Sequence, residues 1–155
     1  MATPAPDLTV TVPKAAWRRG VPALARFAKE FAQAAHDAAV KDGAAALTGE
    51  TVIAFAGNDA VQDLNATFRG QNKPTNVLSF PSPGHHGGDV ILALETVRDE
   101  AAAQGKTLAD HTAHLIVHGI LHLMGYDHLV RGDARRMERL ERRVLGTFGI
   151  ADPYA

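Results

Sequence analysis

The chain has 155 residues, a length that fits a single domain able to bury its own hydrophobic core. Its 16 Lys and Arg against 17 Asp and Glu give a formal net charge of −1. This balance excludes a protein that is basic over its whole surface, although not a local basic groove. Because Cys is absent, disulfide frameworks, thiolate zinc sites and cysteine nucleophiles are excluded, and any metal site must use His, Asp or Glu.

Apolar periodicity and turn residues predict helices interleaved with short strands. Strands are predicted at residues 7–12, 51–56, 75–80 and 89–94. Helices are predicted at residues 22–43, 58–69, 95–104, 108–124 and 133–145. Thr107 and Asp110 form a capping box at the start of the fourth helix. The pattern predicts an α+β (mixed α/β) fold, a single domain over residues 1–155 with a small four-stranded mixed sheet and about five helices.

The sequence contains no predicted targeting or membrane segment. Its N-terminus has neither the basic nor the apolar region of a secretory signal. The longest apolar segment, residues 115–124, is interrupted by histidines and a glycine and is shorter than the roughly 20 residues of a spanning helix. We therefore expect a cytoplasmic protein without a membrane partner.

Histidine is the unusual component: the chain has eight, where average usage would give roughly three. His118 and His122 are one helical turn apart in the fourth predicted helix, and Gly125 allows a turn that brings His128 close to them. Three neutral imidazoles with a fourth position open to water are typical of a catalytic zinc site. Nickel, copper and iron also bind to three histidines, so the spacing alone leaves the metal open.

The remaining histidines carry less information. His111 and His114 precede His118 on the same helix face, and a face that packs beside the site or points to solvent explains both. His114 is the better placed of the two to line a cleft. The other three, for which we predict no role in the site, are His36, His85 and His86.

The spacing HxxxHxxGxxH is that of the metzincin metalloproteases, with one substitution. Metzincins have a glutamate directly after the first histidine as the general base, and this chain has Gly119 there. The set of metal ligands is kept but the base of the peptidase is missing, which speaks against peptide hydrolysis.

A second informative segment, residues 68–81, reads FRGQNKPTNVLSFP. It predicts the end of a helix, a polar turn with two cations, and a buried strand. Arg69 offers a planar fork of donors suited to phosphate oxygens, and Lys73 adds a point charge. Exposed loop cations without a partner would account for the same two residues.

Together the two segments resemble the YbeY family of bacterial metal-dependent endoribonucleases, which act in ribosomal RNA maturation. The family's pattern is close to FRGxDKPTxVLSFP, then GD before an apolar strand, then HGxLHLxGYDH. In this chain these are residues 68–81, 88–91 and 118–128. The match also takes in Leu64-Asn65, Met137-Glu138 with Glu141, and Asp152-Pro153-Tyr154, whereas the first 45 residues carry almost none of it.

The resemblance implies a zinc-dependent, single-strand-specific endoribonuclease acting in 16S rRNA 3′-end maturation and ribosome quality control. It implies a mixed α/β fold with one Zn²⁺ held by His118, His122 and His128 in a cleft beside a small sheet. Arg69 and His118 would be catalytic, with Arg69 binding and stabilising the scissile phosphate. Independently of the resemblance, the charge of Lys73 and the placement of His114 make them further candidates for binding substrate. The implied partners are ribosomal RNA and the small ribosomal subunit with its proteins, rather than DNA.

The chain departs from the family's pattern at Asn72 and Asn76, where aspartate is usual. Either an ionisable role at position 72 is lost, or both residues only cap turns, which Asn does about as well as Asp. The general base also stays open: Asp127 lies next to a ligand but is better explained as orienting a histidine or capping the turn, and a water molecule or the 2′-OH of the RNA could also serve.

Two other functions compete with the nuclease. In a non-catalytic ribosome assembly factor, zinc would be structural and Arg69 with Lys73 would only dock ribosomal RNA. A small-molecule or peptide metallohydrolase is disfavoured by Gly119 and leaves residues 68–81 without a purpose.

Contacts to RNA outside the site are predicted only weakly. Four arginines on one face of the last predicted helix form either a basic track or a solvated face: Arg131, Arg135, Arg139 and Arg142. The main polar-edged aromatic residues are Trp17, Tyr126 and Tyr154. So few rings do not indicate sequence-specific recognition through an aromatic platform.

Overall fold

The computed structural model describes residues 5–127 and 131–155, apart from the side chains of His85 and Arg131. Its strands are β1 Asp7–Thr11, β2 Glu50–Ala56, β3 Val77–Pro81 and β4 Gly88–Ala93. Its helices are α1 Trp17–Gly20, α2 Leu24–Lys41, α3 Asn58–Arg69, α4 Leu94–Ala103, α5 Leu108–Leu123 and α6 Arg131–Thr147, with a 3₁₀ turn at Pro83–His85. The α+β class and the four strands are as predicted. The described residues form six α-helices rather than about five, because α1 adds a single turn before α2.

The four strands form one mixed sheet in the order β1-β2-β4-β3. β2 is parallel to both β1 and β4, whereas β3 is antiparallel to β4 and forms an edge. In this register Ser79 of β3 lies opposite Val90 of β4. None of the helices in the described ranges is long and apolar enough to cross a membrane.

The alternation of side chains along the strands places apolar residues on both faces of the sheet. Ile53, Phe55, Val90 and Leu92 face the larger core, which they share with α2, α5 and α6. Ala56, Leu78 and Ala93 belong to a smaller cluster on the other face, where Val61 of α3 covers them. The helix with the histidines and the helix that ends at Arg69 therefore lie on opposite faces of the sheet, and β3 lies at the edge between them.

α5 is apolar around most of its circumference, which is typical of a buried helix. It begins at Thr107, whose hydroxyl accepts a hydrogen bond from the Asp110 backbone amide at 3.0 Å, as the predicted cap requires. Its burial fixes the direction in which each of its four histidines points, because the helix cannot rotate without exposing Ile116 and Ile120.

Gly119 lets α5 approach the sheet closely. A Cβ atom at this position would lie 2.6 Å from Cγ1 and 3.2 Å from Cγ2 of Val90, and 3.3 Å from Oγ of Ser79. Valine has little rotational freedom about its χ1 bond, so the buried Val90 cannot easily turn away. The position that carries the general base in metzincins therefore has no room here for a glutamate side chain.

Candidate active site

Two histidines of α5 point their outer ring nitrogens at the same place. The Nε2 atoms of His118 and His122 are 3.1 Å apart, and the two rings are almost perpendicular, with an interplanar angle of 81°. Two nitrogen ligands of a tetrahedral zinc ion with bonds of 2.0–2.1 Å are about 3.3 Å apart. The side chains therefore have the spacing that a shared metal ion requires.

The other nitrogen of His118 faces a buried carboxylate. Its Nδ1 lies 2.7 Å from Oε1 of Glu141, which is wholly buried. The same oxygen lies 3.2 Å from Nε2 of His114, and the hydroxyl of Tyr154 donates to Oε2 at 2.6 Å. α6 supplies this carboxylate by packing against α5, and segment 151–155 supplies the phenol.

These contacts control the charge of the carboxylate and the phenol. Burial by itself raises the pKa of Glu141, but the hydrogen bonds from His114 and His118 outweigh it and hold the pKa at about 2. Burial and the hydrogen bond to Glu141 raise the pKa of the Tyr154 phenol well above its usual range. The carboxylate is therefore ionised and the phenol keeps its proton, so Tyr154 donates and Glu141 accepts.

Two sets of residues could hold a metal ion. His114, His118 and Glu141 each offer one ligand atom, and these atoms lie within 4.8 Å of one another. His118 and His122 offer two converging Nε2 atoms, and the sequence adds His128, which lies outside the described residues. The 2.7 Å contact between His118 and Glu141 is shorter than a tetrahedral ligand edge and has the length of a direct hydrogen bond. The geometry thus fits a metal at the Nε2 side, with Glu141 behind the ligand.

An open cleft of about 890 Å³ runs past these histidines. Both sequence-predicted cations, Arg69 and Lys73, line it together with His114, His118 and His122. The structure therefore brings together the candidate residues of the two motifs, apart from His128, which is not described. Tyr154 lines the same cleft, although the resemblance assigned it no role.

Arg69 is held at the edge of the cleft by the strand that follows it. Its Nη2 donates a 2.8 Å hydrogen bond to the carbonyl oxygen of Ser79, and its guanidinium lies 5.3 Å from the centre of the Phe80 ring. The Ser79 hydroxyl in turn donates to the Gly119 carbonyl oxygen at 3.3 Å. Ser79 thus joins the arginine to the helix segment that carries His118.

The loop between α3 and β3 takes its shape from a buried amide. Asn65 is only 4% exposed, and its Nδ2 donates to the Lys73 carbonyl oxygen at 2.9 Å while its own backbone carbonyl oxygen accepts from the Gln71 amide. Asn65 therefore closes the loop that presents Arg69 and Lys73. Sequence reasoning assigned it no role, although it directly follows Leu64 in the segment that resembles the family.

The two asparagines that depart from the family's pattern both make side-chain hydrogen bonds. Asn72 accepts from Gln62 at 3.1 Å on the surface. Asn76 accepts from the Val77 amide at 2.7 Å and donates through Nδ2 to Glu100 at 3.0 Å. A carboxylate at position 76 could not donate to Glu100, so the amide is the form that suits this neighbour.

His111 lies at the far end of the cleft, where its Nε2 is 2.9 Å from Oε1 of Glu100. Burial lowers the pKa of His111, and the hydrogen bond to Glu100 acts in the opposite direction. The ring is only 3% exposed, so it packs beside the site, one of the two placements considered from the sequence. His36, predicted to have no role in the site, is buried in the core and accepts a hydrogen bond from the Leu47 amide at 3.1 Å.

The comparisons with known proteins agree with the two motifs. The family described as Endoribonuclease YbeY matches residues 15–149 of this chain. The chain belongs to the YbeY family. Its membership makes it an endoribonuclease, a hydrolase acting on RNA, and confirms the resemblance and the enzyme class predicted from the sequence.

Individual relatives support the same assignment to YbeY over nearly the whole chain. An Endoribonuclease YbeY from Paramagnetospirillum magneticum is 45% identical over 160 residues, which cover 96% of this chain and 95% of that protein. One from Allorhizobium ampelinum is 47% identical over 119 residues, covering 72% of this chain and 71% of the relative. The solution structure of a Thermotoga maritima protein is 21% identical and covers 94% of this chain and 97% of its own, with a TM-score of 0.59. That structure shows the shared fold.

Proposed function

We propose that the chain is a zinc-dependent, single-strand-specific endoribonuclease that acts in 16S rRNA 3′-end maturation and ribosome quality control in the cytoplasm. Its partners in this proposal are ribosomal RNA and the small ribosomal subunit with its proteins. The observation that carries the proposal is that Arg69 and the converging pair His118 and His122 line one open cleft.

The donor set suits zinc. His118 and His122 would hold the ion through Nε2, with His128 as the third ligand given by the sequence motif. Because Nδ1 of His118 is hydrogen-bonded to Glu141, Nε2 is the nitrogen through which His118 would bind the metal. When bound, such an ion supplies a Lewis acid that activates water or polarises a phosphoryl oxygen.

Arg69 would bind the scissile phosphate. Its guanidinium is exposed, and the hydrogen bond to Ser79 uses Nη2 while fixing the plane of the fork. The remaining donors can bind phosphate oxygens and neutralise the charge that builds up in the transition state. Lys73 lines the same cleft and adds a second positive charge along the path of the RNA.

An exposed ring next to Arg69 supports binding to unpaired RNA. Phe68 is 66% exposed and packs its edge against Phe80, the same ring over which Arg69 lies. A nucleobase can stack on such a ring only when it is not paired within a duplex. This position was not among the aromatic residues considered from the sequence, and Trp17, which was, is buried with its Nε1 bonded to the Ala56 carbonyl oxygen.

The sharpest test is single-turnover cleavage of a structured RNA that has a single-stranded 3′ extension. Arg69→Ala is expected to lower the cleavage rate by about 10²–10³-fold, as is typical for removing one transition-state donor, and Arg69→Lys by less. His118→Ala should remove both cleavage and stoichiometric zinc. Arg26→Ala is the matched control, because this arginine lies on α2, is 80% exposed and pairs only loosely with Glu30 at 3.9 Å.

The outcomes separate the nuclease from the assembly factor. Cleavage by Arg69→Ala and His118→Ala at the wild-type rate would overturn the enzymatic proposal. If wild-type protein freed of contaminating nuclease cleaves no RNA, Arg69→Ala binds small ribosomal subunits more weakly and His118→Ala fails to fold, the assembly factor with structural zinc is favoured. Metal analysis of protein purified without an affinity tag is the first measurement, and a content well below one zinc per chain would contradict the site.

A further inference from the structure

The carboxylate of Glu141 lies behind the histidine pair, on the side away from the converging Nε2 atoms. It is wholly buried, and both of its oxygens are used: Oε1 faces His118 and His114, and Oε2 accepts from Tyr154. Three groups able to donate surround its two oxygens, and in this arrangement Nδ1 of His118 donates to Oε1 at 2.7 Å. That proton sits on Nδ1, and the lone pair is left on Nε2.

Tyr154 is fixed to this carboxylate by a short segment that folds back onto α6. Arg142 forms an ion pair with Asp152 at 3.0 Å and lies 5.5 Å from the centre of the Tyr154 ring. The Tyr154 amide donates to Oδ1 of Asp152 at 2.8 Å. These contacts bring the phenol to Oε2, so that Oε1 is turned toward His118.

We propose that Glu141 and Tyr154 are a positioning pair that fixes His118 in its Nδ1–H tautomer and so sets the affinity of the site for its metal ion. The inference rests on the metal site of the proposed function, but it concerns affinity rather than cleavage. In this proposal neither residue would be a ligand of the ion. Carboxylates that orient a ligating imidazole commonly account for 10–100-fold in metal affinity.

The test measures zinc affinity of the tag-free, full-length chain by competition with a chromophoric chelator, with no RNA present. Glu141→Gln should raise the dissociation constant for zinc about 10–100-fold while one zinc per chain still binds at saturation. Tyr154→Phe removes one oxygen atom and should raise it severalfold. Glu30→Gln is the matched control, because it makes the same change on α2 at a side chain that is 57% exposed and pairs loosely with Arg26 at 3.9 Å, and it should leave the constant within twofold.

Two further variants separate positioning from direct ligation. If His114, His118 and Glu141 were the ligands, His114→Ala would abolish stoichiometric zinc and His122→Ala would keep it. Our proposal gives the opposite result, with stoichiometric binding lost in His122→Ala and retained in His114→Ala. Loss of stoichiometric zinc in His114→Ala together with its retention in His122→Ala would overturn the proposal.

The tautomer gives a readout that a purely structural role would not change. In the metal-free protein, nitrogen-15 NMR of the histidine rings should show His118 protonated at Nδ1 in the wild type and a mixture of the two tautomers in Glu141→Gln, and a wild-type proton at Nε2 would overturn the proposal. If Glu141→Gln does not fold, the zinc affinity of Tyr154→Phe and the tautomer of His118 in the wild type test the proposal. Wild-type zinc affinity in folded Glu141→Gln refutes the positioning pair and leaves the nuclease standing, whereas a loaded protein that cleaves no RNA refutes the nuclease alone.

Discussion

Replacing Gly119 with alanine tests the close contact between α5 and the sheet. In a helix interior the change from glycine to alanine normally stabilises by up to about 1 kcal/mol. Here the new Cβ would lie 2.6 Å from Cγ1 of Val90, well inside ordinary contact distance. Overpacking of this kind typically costs about 1–3 kcal/mol, so we expect a net loss of about 1–2 kcal/mol in the free energy of unfolding.

A second substitution, Val90→Ala, should reverse the sign of the stability change that Gly119→Ala causes. Val90→Ala removes both methyl groups that the new Cβ would meet, and it leaves a cavity that destabilises the protein by itself. In that background Gly119→Ala should stabilise, because the helix preference for alanine is no longer opposed by the clash. Gly146→Ala on α6 is the control, since nothing lies within 4 Å of its Cβ position and no loss is expected.

The assay is urea unfolding in the presence of a metal chelator, so that any bound metal ion does not contribute to stability. The double-mutant cycle isolates the coupling between positions 119 and 90. The reasoning is refuted if Gly119→Ala is at least as stable as the wild type, or if it shifts stability equally with and without the Val90→Ala substitution.

Three other predictions concern the turn after α5, the cleft and the RNA. Asp42 accepts from the Tyr126 hydroxyl and from Arg136, each at 2.7 Å, and the Tyr126 bond is the main cause of the lowered pKa of Asp42. A lowered carboxyl pKa contributes stability above the unfolded value near 4 that is lost as the pH falls through the folded value. Asp42→Asn should therefore cost about 1–2 kcal/mol at pH 7 in urea unfolding, and progressively less as the pH falls below about 4; a cost that does not change with pH would contradict this. Asn76→Asp would place a carboxylate 3.0 Å from that of Glu100 and should destabilise at pH 7, with Glu100→Gln restoring stability in a thermal melt. Phe68→Ala should weaken binding to single-stranded RNA by about 1–3 kcal/mol without changing the melting temperature, as measured by fluorescence anisotropy, and an unchanged affinity would remove the stacking role.

The sequence predicted the parts of the site that depend on local spacing. His118 and His122 are one turn apart on a single capped helix, so helix geometry alone places them together. Arg69 was found from its own motif, and its position in the same cleft as the histidines depends on how α3 and α5 pack on opposite faces of the sheet.

The residues without a predicted role are distant in sequence from the residues that they contact. Glu141 is 23 positions from His118, and no spacing rule connects a carboxylate on one helix to a histidine on another. The Glu and Tyr were present in the segments that resemble the family, but only the packing of α6 against α5 shows what they contact. Trp17 was considered for base stacking because the sequence could not show its burial. Arg136 was not considered, because its partner Asp42 lies at the end of α2, far away in the chain.

Ser79 lies on the edge strand β3, so the geometry of the cleft depends on the register in which β3 pairs with β4. Its carbonyl oxygen accepts from Arg69 and its hydroxyl donates to the Gly119 carbonyl oxygen beside His118, so one residue sets the separation between the Arg69 side and the histidine side of the cleft. If β3 slipped by one residue along β4, Leu78 or Phe80 would take that place, and both contacts would be lost in a single step. Pro81 limits such slippage, because it ends the strand and cannot extend the ladder of hydrogen bonds. The correct pairing of five residues at the sheet edge is thus a condition for assembling the two halves of the site.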